Sequence, residues 1–436
     1  MPGLHQQLAV IEAAGLTTLA QSQPELIYSF RHALIQEAAY QSLTKSQRLR
    51  LHGTIGDVLE AVYATRLAEF AGVLAYHFAQ ARQLDKAVAY ALQAARRAVA
   101  LHAHDEAHEV LRVALALFDP ADVSLGHLAV LEDLADVLSL LREGRRAVPL
   151  YQQALGIWDK LAGHDPLVAV RLHRKIMQAV AELRGAVAVP EYALLEAAVD
   201  ASRASLLAGL ELSETLPPHA EIARLLMALA THAWNVQTPP DWDAALRYAQ
   251  AATQIAEQLP DPVEFSAALG TFATAQFGKG QLSEYRRVAL RRLALCRVQP
   301  SDYVREKVDA LRDAGSALMY TGEYQRALDV LAEAEGLARQ IHAVDQEFNV
   351  LILQSQCWLR LDRWDEVLRI EAEWTNLEQR FGRERLGLTC FAVALGAVAR
   401  ALRGELDLAR SGRQASYAAM LAFTGPPAEW TRNQHY

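Results

Sequence analysis

The sequence is poor in the residues that most often carry chemistry. Its 436 residues hold three cysteines, Cys296, Cys357 and Cys390, far apart and without a CxxC or other zinc-type spacing. An odd, scattered set of this kind suits a reducing cytoplasm, where thiols stay free. Aromatic residues make up only 7 %. The 43 Lys and Arg do not outnumber the 51 Asp and Glu, and a formal net charge of −8 argues against nucleic-acid binding through a broad basic footprint. Charges interrupt every apolar stretch well short of the ~20 residues that span a bilayer. Met1–Leu19 lacks the basic segment and apolar core of a signal peptide. No GxxxxGK[ST] occurs, so a Walker-type phosphate cradle is absent, and no Ser/His/Asp or Gly-rich nucleophile motif is present.

What the chain does have is aliphatic residues in helical rhythm. Hydrophobic residues reach 52 %, mostly Ala, Leu and Val. Ala and Leu are strong helix formers, and Ala lets helices approach closely. From about Thr65 onward a short frame recurs: a turn Gly or Asp, then an aromatic or Leu, then a small residue. It reads Gly322-Glu323-Tyr324…Ala327, Asp362-Arg363-Trp364…Val367 and Gly404-Glu405-Leu406…Ala409. It returns upstream around Tyr285, Ala245, Ala147 and Ala87. Ala245, Tyr285, Ala327, Val367 and Ala409 follow one another at about 40 residues, a solenoid period. The pattern predicts an all-α, right-handed superhelix of tetratricopeptide-like hairpins over residues 56–436. Ala87, Ala147, Ala245, Ala327, Val367 and Ala409 are its structural frame. Between Ala147 and Ala245 the spacing predicts roughly two repeats plus an insertion at Gly209–Pro218. Residues 1–55 read differently: a helix over Gln6–Ala14, two short strands over Leu16–Leu19 and Leu26–Phe30, and a helix from Ala33. That is the closing part of a winged helix followed by a junction helix.

The run Tyr28-Ser29-Phe30-Arg31-His32-Ala33-Leu34-Ile35-Gln36-Glu37-Ala38-Ala39-Tyr40, with Arg48-Leu49-Arg50-Leu51-His52 after it, resembles the junction behind the winged helix of bacterial STAND-type signalling ATPases. These include adenylate/guanylate cyclases with ATPase–repeat tails and large ATP-binding LuxR-type regulators. The motif match is local, about 25 residues. The resemblance extends through about Phe118 and afterwards rests on the repeat pattern, whose period is longer than the usual ~34. It implies a sensor and scaffold, with an ATPase or cyclase module encoded upstream, and a chain that is the C-terminal part of a longer protein.

The expected function is a cytoplasmic binding scaffold that takes a protein partner or a small-molecule inducer on a concave face. No cofactor, membrane contact or direct nucleic-acid contact is expected. Trp234 and Trp358, near the ends of first helices, and the basic run Arg286, Arg287 are the candidate groove residues; Trp242 and Trp364 are read as core. One alternative is a truncated remnant of such a regulator without independent activity. Another is a metal-dependent enzyme built on His102–His108, where His104 and His108 share a helix face at zinc-compatible spacing. In that segment His104 also fills the frame position of Leu84 and Tyr324, so a plain helix start accounts for every residue.

Overall fold

In the computed structural model, the described residues are 2–22, 27–141, 143–163, 165–184, 192–237, 239–298, 303–381 and 389–424. They form two compact units, Met1–Glu143 and Gly144–Tyr436. The boundary falls among the repeats, where nothing in the sequence marks it.

The first unit opens with α1 (Pro2–Ala13) and a two-stranded antiparallel sheet, β1 (Thr17–Gln21) and β2 (Ile27–Phe30). Thr17 pairs with Phe30 and Leu19 with Tyr28. Helices α2 (Ala33–Gln41), α3 (Lys45–Val62), α4 (Leu67–Gln80), α5 (Leu84–Ala100), α6 (His104–Leu115) and α7 (Leu125–Leu140) follow. Helix α3 starts on a capping box: the Gln47 amide donates to Thr44 Oγ1, and the Thr44 amide donates to Gln47 Oε1 at 2.8 Å.

The second unit holds α8 (Gly144–Trp158), α9 (Pro166–Arg184), α10 (Tyr192–Ser213), α11 (Ala220–Thr231), α12 (Trp242–Ala256), α13 (Pro262–Gly278) and α14 (Leu282–Arg297). It continues with α15 (Val304–Tyr320), α16 (Tyr324–Gln340), α17 (Val344–Arg360), α18 (Trp364–Phe381), α19 (Thr389–Leu402) and α20 (Leu406–Thr424). The expected insertion differs in detail. Gly209 lies inside α10, where it lets His173 and Leu225 pack close, and the irregular stretch begins only after Ser213.

Most of the recurring sequence frame has one physical basis. At seven turns the residue after the helix C-cap adopts positive φ: Arg82, His102, Gly280, Gly322, His342, Asp362 and Gly404. The next residue's amide then reaches back five residues, as in Glu323 to Leu318 at 2.9 Å and Ala343 to Ala338 at 2.9 Å. This Schellman geometry satisfies the orphan carbonyls and aims the chain into the following helix. The frame residue is then the fourth of that helix. Ala87, Ala147, Ala245 and Ala327 are essentially fully buried and Val367 is 1 % exposed, whereas Ala409 on α20 is half-buried. A larger Cβ substituent has no room at such a crossing. Ala87 stands on α5 and Ala147 on α8, so the frame marks helix starts on both members of the hairpins. Because L residues pay for the left-handed region, Gly322→Ala is expected to cost about 1 kcal/mol, while His342→Gly shifts stability by a similar or smaller amount the other way. Urea unfolding followed by circular dichroism reads both; equal effects of the same sign contradict the turn assignment.

Packing in the second unit sorts the helices into two rows. The first helices of the hairpins lie side by side, α9 on α11, α11 on α13, α13 on α15, α15 on α17 and α17 on α19. The second helices pack mainly on the first ones. Apolar clusters fill the interlayer. One gathers Leu311, Leu318, Ala327, Leu331 and Val350, and another Phe348, Ile370 and Trp374.

Candidate ligand-binding face

The exposed side of the first row is built from α11, α13, α15 and α17. Half-buried positions recur on them at helical spacing: Arg224 and Thr231; Ala267, Thr271 and Thr274; Asp309, Arg312 and Ser316; Asn349 and Gln356. Hydroxyls and amides dominate this set. The threonine hydroxyls donate to their own helices, Thr231 to the Met227 carbonyl at 3.0 Å, Thr271 to Ala267 at 3.2 Å and Thr274 to Gly270 at 3.1 Å. Each keeps acceptor lone pairs for an incoming N–H.

Charged side chains on the same helices are tied up across the row. Arg174 on α9 bonds Glu221 on α11 at 3.1 Å, and Glu221 bonds Arg224 at 2.8 Å. Arg224 in turn pairs with Glu264 on α13. Next comes the most buried cluster. Arg292 reaches in from α14, its side chain 6 % exposed, and bonds Glu306 at 2.7 Å and also Asp313, both on α15. Its guanidinium lies against Gly270, whose missing Cβ leaves the space, and its Nε donates to the buried Ser266 hydroxyl at 3.3 Å. Arg312 bonds Asp309 at 3.1 Å and Asp313 at 3.0 Å, and donates to Gln346 on α17 at 3.0 Å. Farther along, Arg339 bonds Glu347 at 2.7 Å and Arg400 bonds Glu371 at 2.8 Å. Burial opposes the charge on Arg292, but Asp313 and Glu306 more than offset it and raise its pKa. Burial pushes the Asp309 carboxyl above its ordinary range, against the pull of Arg312 and Arg292. Such ladders fix helix spacing and engage the charged groups of these helices with one another.

The residues singled out from sequence are dispersed. Trp234 lies in a π-helical turn, His232–Val236, that closes α11. It is half-buried, with its ring nearly parallel to Trp242 at 6.2 Å between centroids. Trp242 covers Gly278 and borders an open cleft of about 490 Å³ with Gln237, Pro239, Pro240, Asp243 and Lys279. Trp358 on α17 is half-buried between two core clusters, 6.0 Å from the Arg363 guanidinium. Trp242 and Trp364 are likewise half-buried. Arg286 and Arg287 belong to α14, in the second row. The first bonds Glu323 at 2.7 Å, and the exposed second bonds Glu284 one turn back at 2.7 Å. His104 meets His102 edge-on at 6.0 Å. Among the described residues no group of three His, Cys, Asp or Glu side chains is arranged to hold a metal ion, and no third ligand joins His104 and His108. Thr271, Arg312, Ser316 and Asn349 escaped the sequence reading. No local signal marked them, because α15 and α17 carry polar residues at many positions and only the packing of neighbouring helices aligns these ones.

Two rows of paired helices with a polar outer face on the first row define an all-α, tetratricopeptide-like repeat protein. No protein-family model matches the sequence, and no curated protein matches it. Solved structures do share the fold. A Signal Transduction ATPase with Numerous Domains protein with a tetratricopeptide repeat sensor, from Pyrococcus horikoshii, superposes with a TM-score of 0.56 at 10 % identity, over 95 % of this chain. The chain spans 58 % of that protein's length. The apo quorum sensor NprR from B. thuringiensis gives a TM-score of 0.57 at 12 % identity, over 88 % of this chain and 99 % of the other. Aspartyl phosphate phosphatase F from Bacillus subtilis gives 0.52 at 13 % identity, over 86 % and 96 %. Among the described residues no helix is long and apolar enough to cross a membrane.

Proposed function

We propose that this chain is the sensing part of a signal-transduction system, a non-catalytic repeat scaffold whose first-row face takes an extended peptide or peptide-like segment of a partner. The observation that carries the reading is the set of half-buried hydroxyls and amides on α11, α13, α15 and α17, held in place by ion pairs that satisfy the neighbouring charges. A peptide backbone offers alternating N–H and C=O groups, which neutral hydroxyl and amide side chains match without regard to charge. In a curved two-layer array, the row whose helices pack on one another lies on the inside of the curve, where a solenoid presents its binding surface. The likeness to a sensor domain and a quorum sensor supports the reading at the level of fold. On the same reading, residues 1–55 are the end of a winged helix plus a junction helix, residues 56–436 are the sensor, and an ATPase or cyclase module is the output it regulates in a cytoplasmic setting.

The test uses a displayed library of random twelve-residue peptides, selected on the immobilised full chain. Peptides from the selection are expected to lose about tenfold or more in affinity on Thr271→Arg or Asn349→Arg, and to be indifferent to Gln325→Arg on α16 in the second row. Binding that ignores both first-row changes, or a selection that yields no binder, contradicts the proposal.

A further inference from the structure

Helix α2 has no buried residue of its own. Among the described contacts, what ties it to the helices that follow is a compact group of polar and aromatic side chains. The Tyr40 hydroxyl and His52 Nε2 on α3 are 3.1 Å apart. His52 Nδ1 and His77 Nδ1 on α4 are 2.9 Å apart. Tyr76 on α4 stands edge-on to both imidazoles, at 5.7 and 5.4 Å between centroids. Arg48 on α3 lies over the Tyr40 ring, 4.6 Å from its centroid, and donates to the Gln41 and Leu43 carbonyls, each at 3.1 Å. His52 is 6 % exposed.

We propose that the His52–His77 pair is a proton-operated latch that fastens α2, and with it the β1–β2 hairpin, to α3 and α4. The 2.9 Å separation requires one donor and one acceptor between the two Nδ1 atoms. With both rings neutral, His52 donates to His77 and its Nε2 accepts the Tyr40 proton, or His77 donates to His52 and His52 Nε2 donates to Tyr40. One extra proton is tolerated, because a cationic His52 donates at both nitrogens. A second proton leaves two N–H groups facing each other on two cations, and the bond is lost. The groups that face the pair are Tyr40 from α2 and Tyr76 from α4, and the Arg48 cation of α3 sits over the Tyr40 ring.

Burial lowers the pKa of both rings below the ordinary 6.5, and His52 lowers that of His77 further. The sign follows. The unfolded or detached state binds protons more readily, so the latch contributes its full stability above pH 6.5 and loses it as pH falls through the depressed values. Carboxylates with ordinary pKa values titrate well below 6, so from about pH 7.5 to about pH 5 the groups of the latch that change charge are the two histidines.

Hydrogen exchange on the full chain reads the latch, with amide protection in 33–41 normalised to that of α5, in the same unit, and to intrinsic rates at about pH 7.5 and about pH 5. In the wild type, α2 protection relative to α5 is expected to fall about tenfold on acidification. Tyr40→Phe lowers it already at neutral pH, by about threefold or more. His77→Gln, which offers an amide that does not titrate, removes the acid loss; an unchanged α5 signal shows that the first unit of this variant remains folded. The imidazole nitrogen shifts of the wild type provide a second readout, and both rings should titrate below 6.5. An α2 protection that tracks α5 at both pH values, an acid loss that persists in His77→Gln, or neutral-pH protection untouched by Tyr40→Phe overturns the proposal.

Discussion

Arg292→Met is expected to unfold the second unit at temperatures where the wild type is intact, at a cost of about 3–5 kcal/mol. The guanidinium is 6 % exposed, and its carboxylate partners Glu306 and Asp313 are each 15 % exposed. Removing it strands two largely buried carboxylates beside one another. Their small exposed surface gives water little room to take over the lost bonds, and Arg312 already shares its charge with Asp309 and Asp313. A domain's whole margin is only about 5–15 kcal/mol, so the loss is decisive. The compensated variant Arg292→Met with Glu306→Gln and Asp313→Asn is expected to recover a large part of the stability, because the uncompensated charge, more than the absent attraction, sets the cost. Thermal melting by circular dichroism distinguishes the cases. A melt of Arg292→Met that overlays the wild type shows that the cluster is not closed to water.

Ala327→Glu is the second change of this size. Ala327 has no exposed surface and packs against Leu311, Ala314, Leu331 and Val350 where α15, α16 and α17 meet. A glutamate there either buries an unpaired carboxylate or pushes α16 off α15, and either route costs several kcal/mol. The same substitution at Ala409, the equivalent position on α20, meets a half-buried site and is expected to be tolerated with a loss several-fold smaller. Equal melts for the two variants would mean that the repeat frame does not mark the helix crossings.

The two mutations fall on opposite sides of what the sequence discloses. Ala327 was legible because this helix crossing tolerates only a small side chain, and an alanine recurs at the same interval after the left-handed turns at Arg82, His102, Gly322 and Gly404. Gly280, Gly322 and Gly404 announce their turns, since glycine adopts positive φ freely. Arg82, His102 and His342 make the same turns without announcing them, and only the geometry reveals them. The two strands, expected over Leu16–Leu19 and Leu26–Phe30, are found at Thr17–Gln21 and Ile27–Phe30. Arg292 was not legible as a buried residue. Its four-residue neighbourhood, Arg286-Arg287 and Arg291-Arg292, reads as a solvated basic face, and Arg287 and Arg291 do lie exposed. What draws Arg292 inside is Glu306 and Asp313 on another helix, a pairing that exists only once α14 and α15 are packed. For the same reason Thr271, Ser316 and Asn349 carry no local signal: each is an ordinary polar residue until neighbouring helices align them on one surface. The π-turn at His232–Val236 is similar, since neither Trp234 nor Asn235 demands it by propensity.

The most direct measurement of the central claim is a hydrogen-exchange difference map of the full chain with and without a saturating peptide from the twelve-residue library. Added protection is expected to concentrate on the first-row segments 224–231, 267–274, 309–316 and 349–356, with the second-row helices α14, α16 and α18 unchanged. Protection confined to α14, α16 and α18, with the first-row segments unaltered, would contradict it.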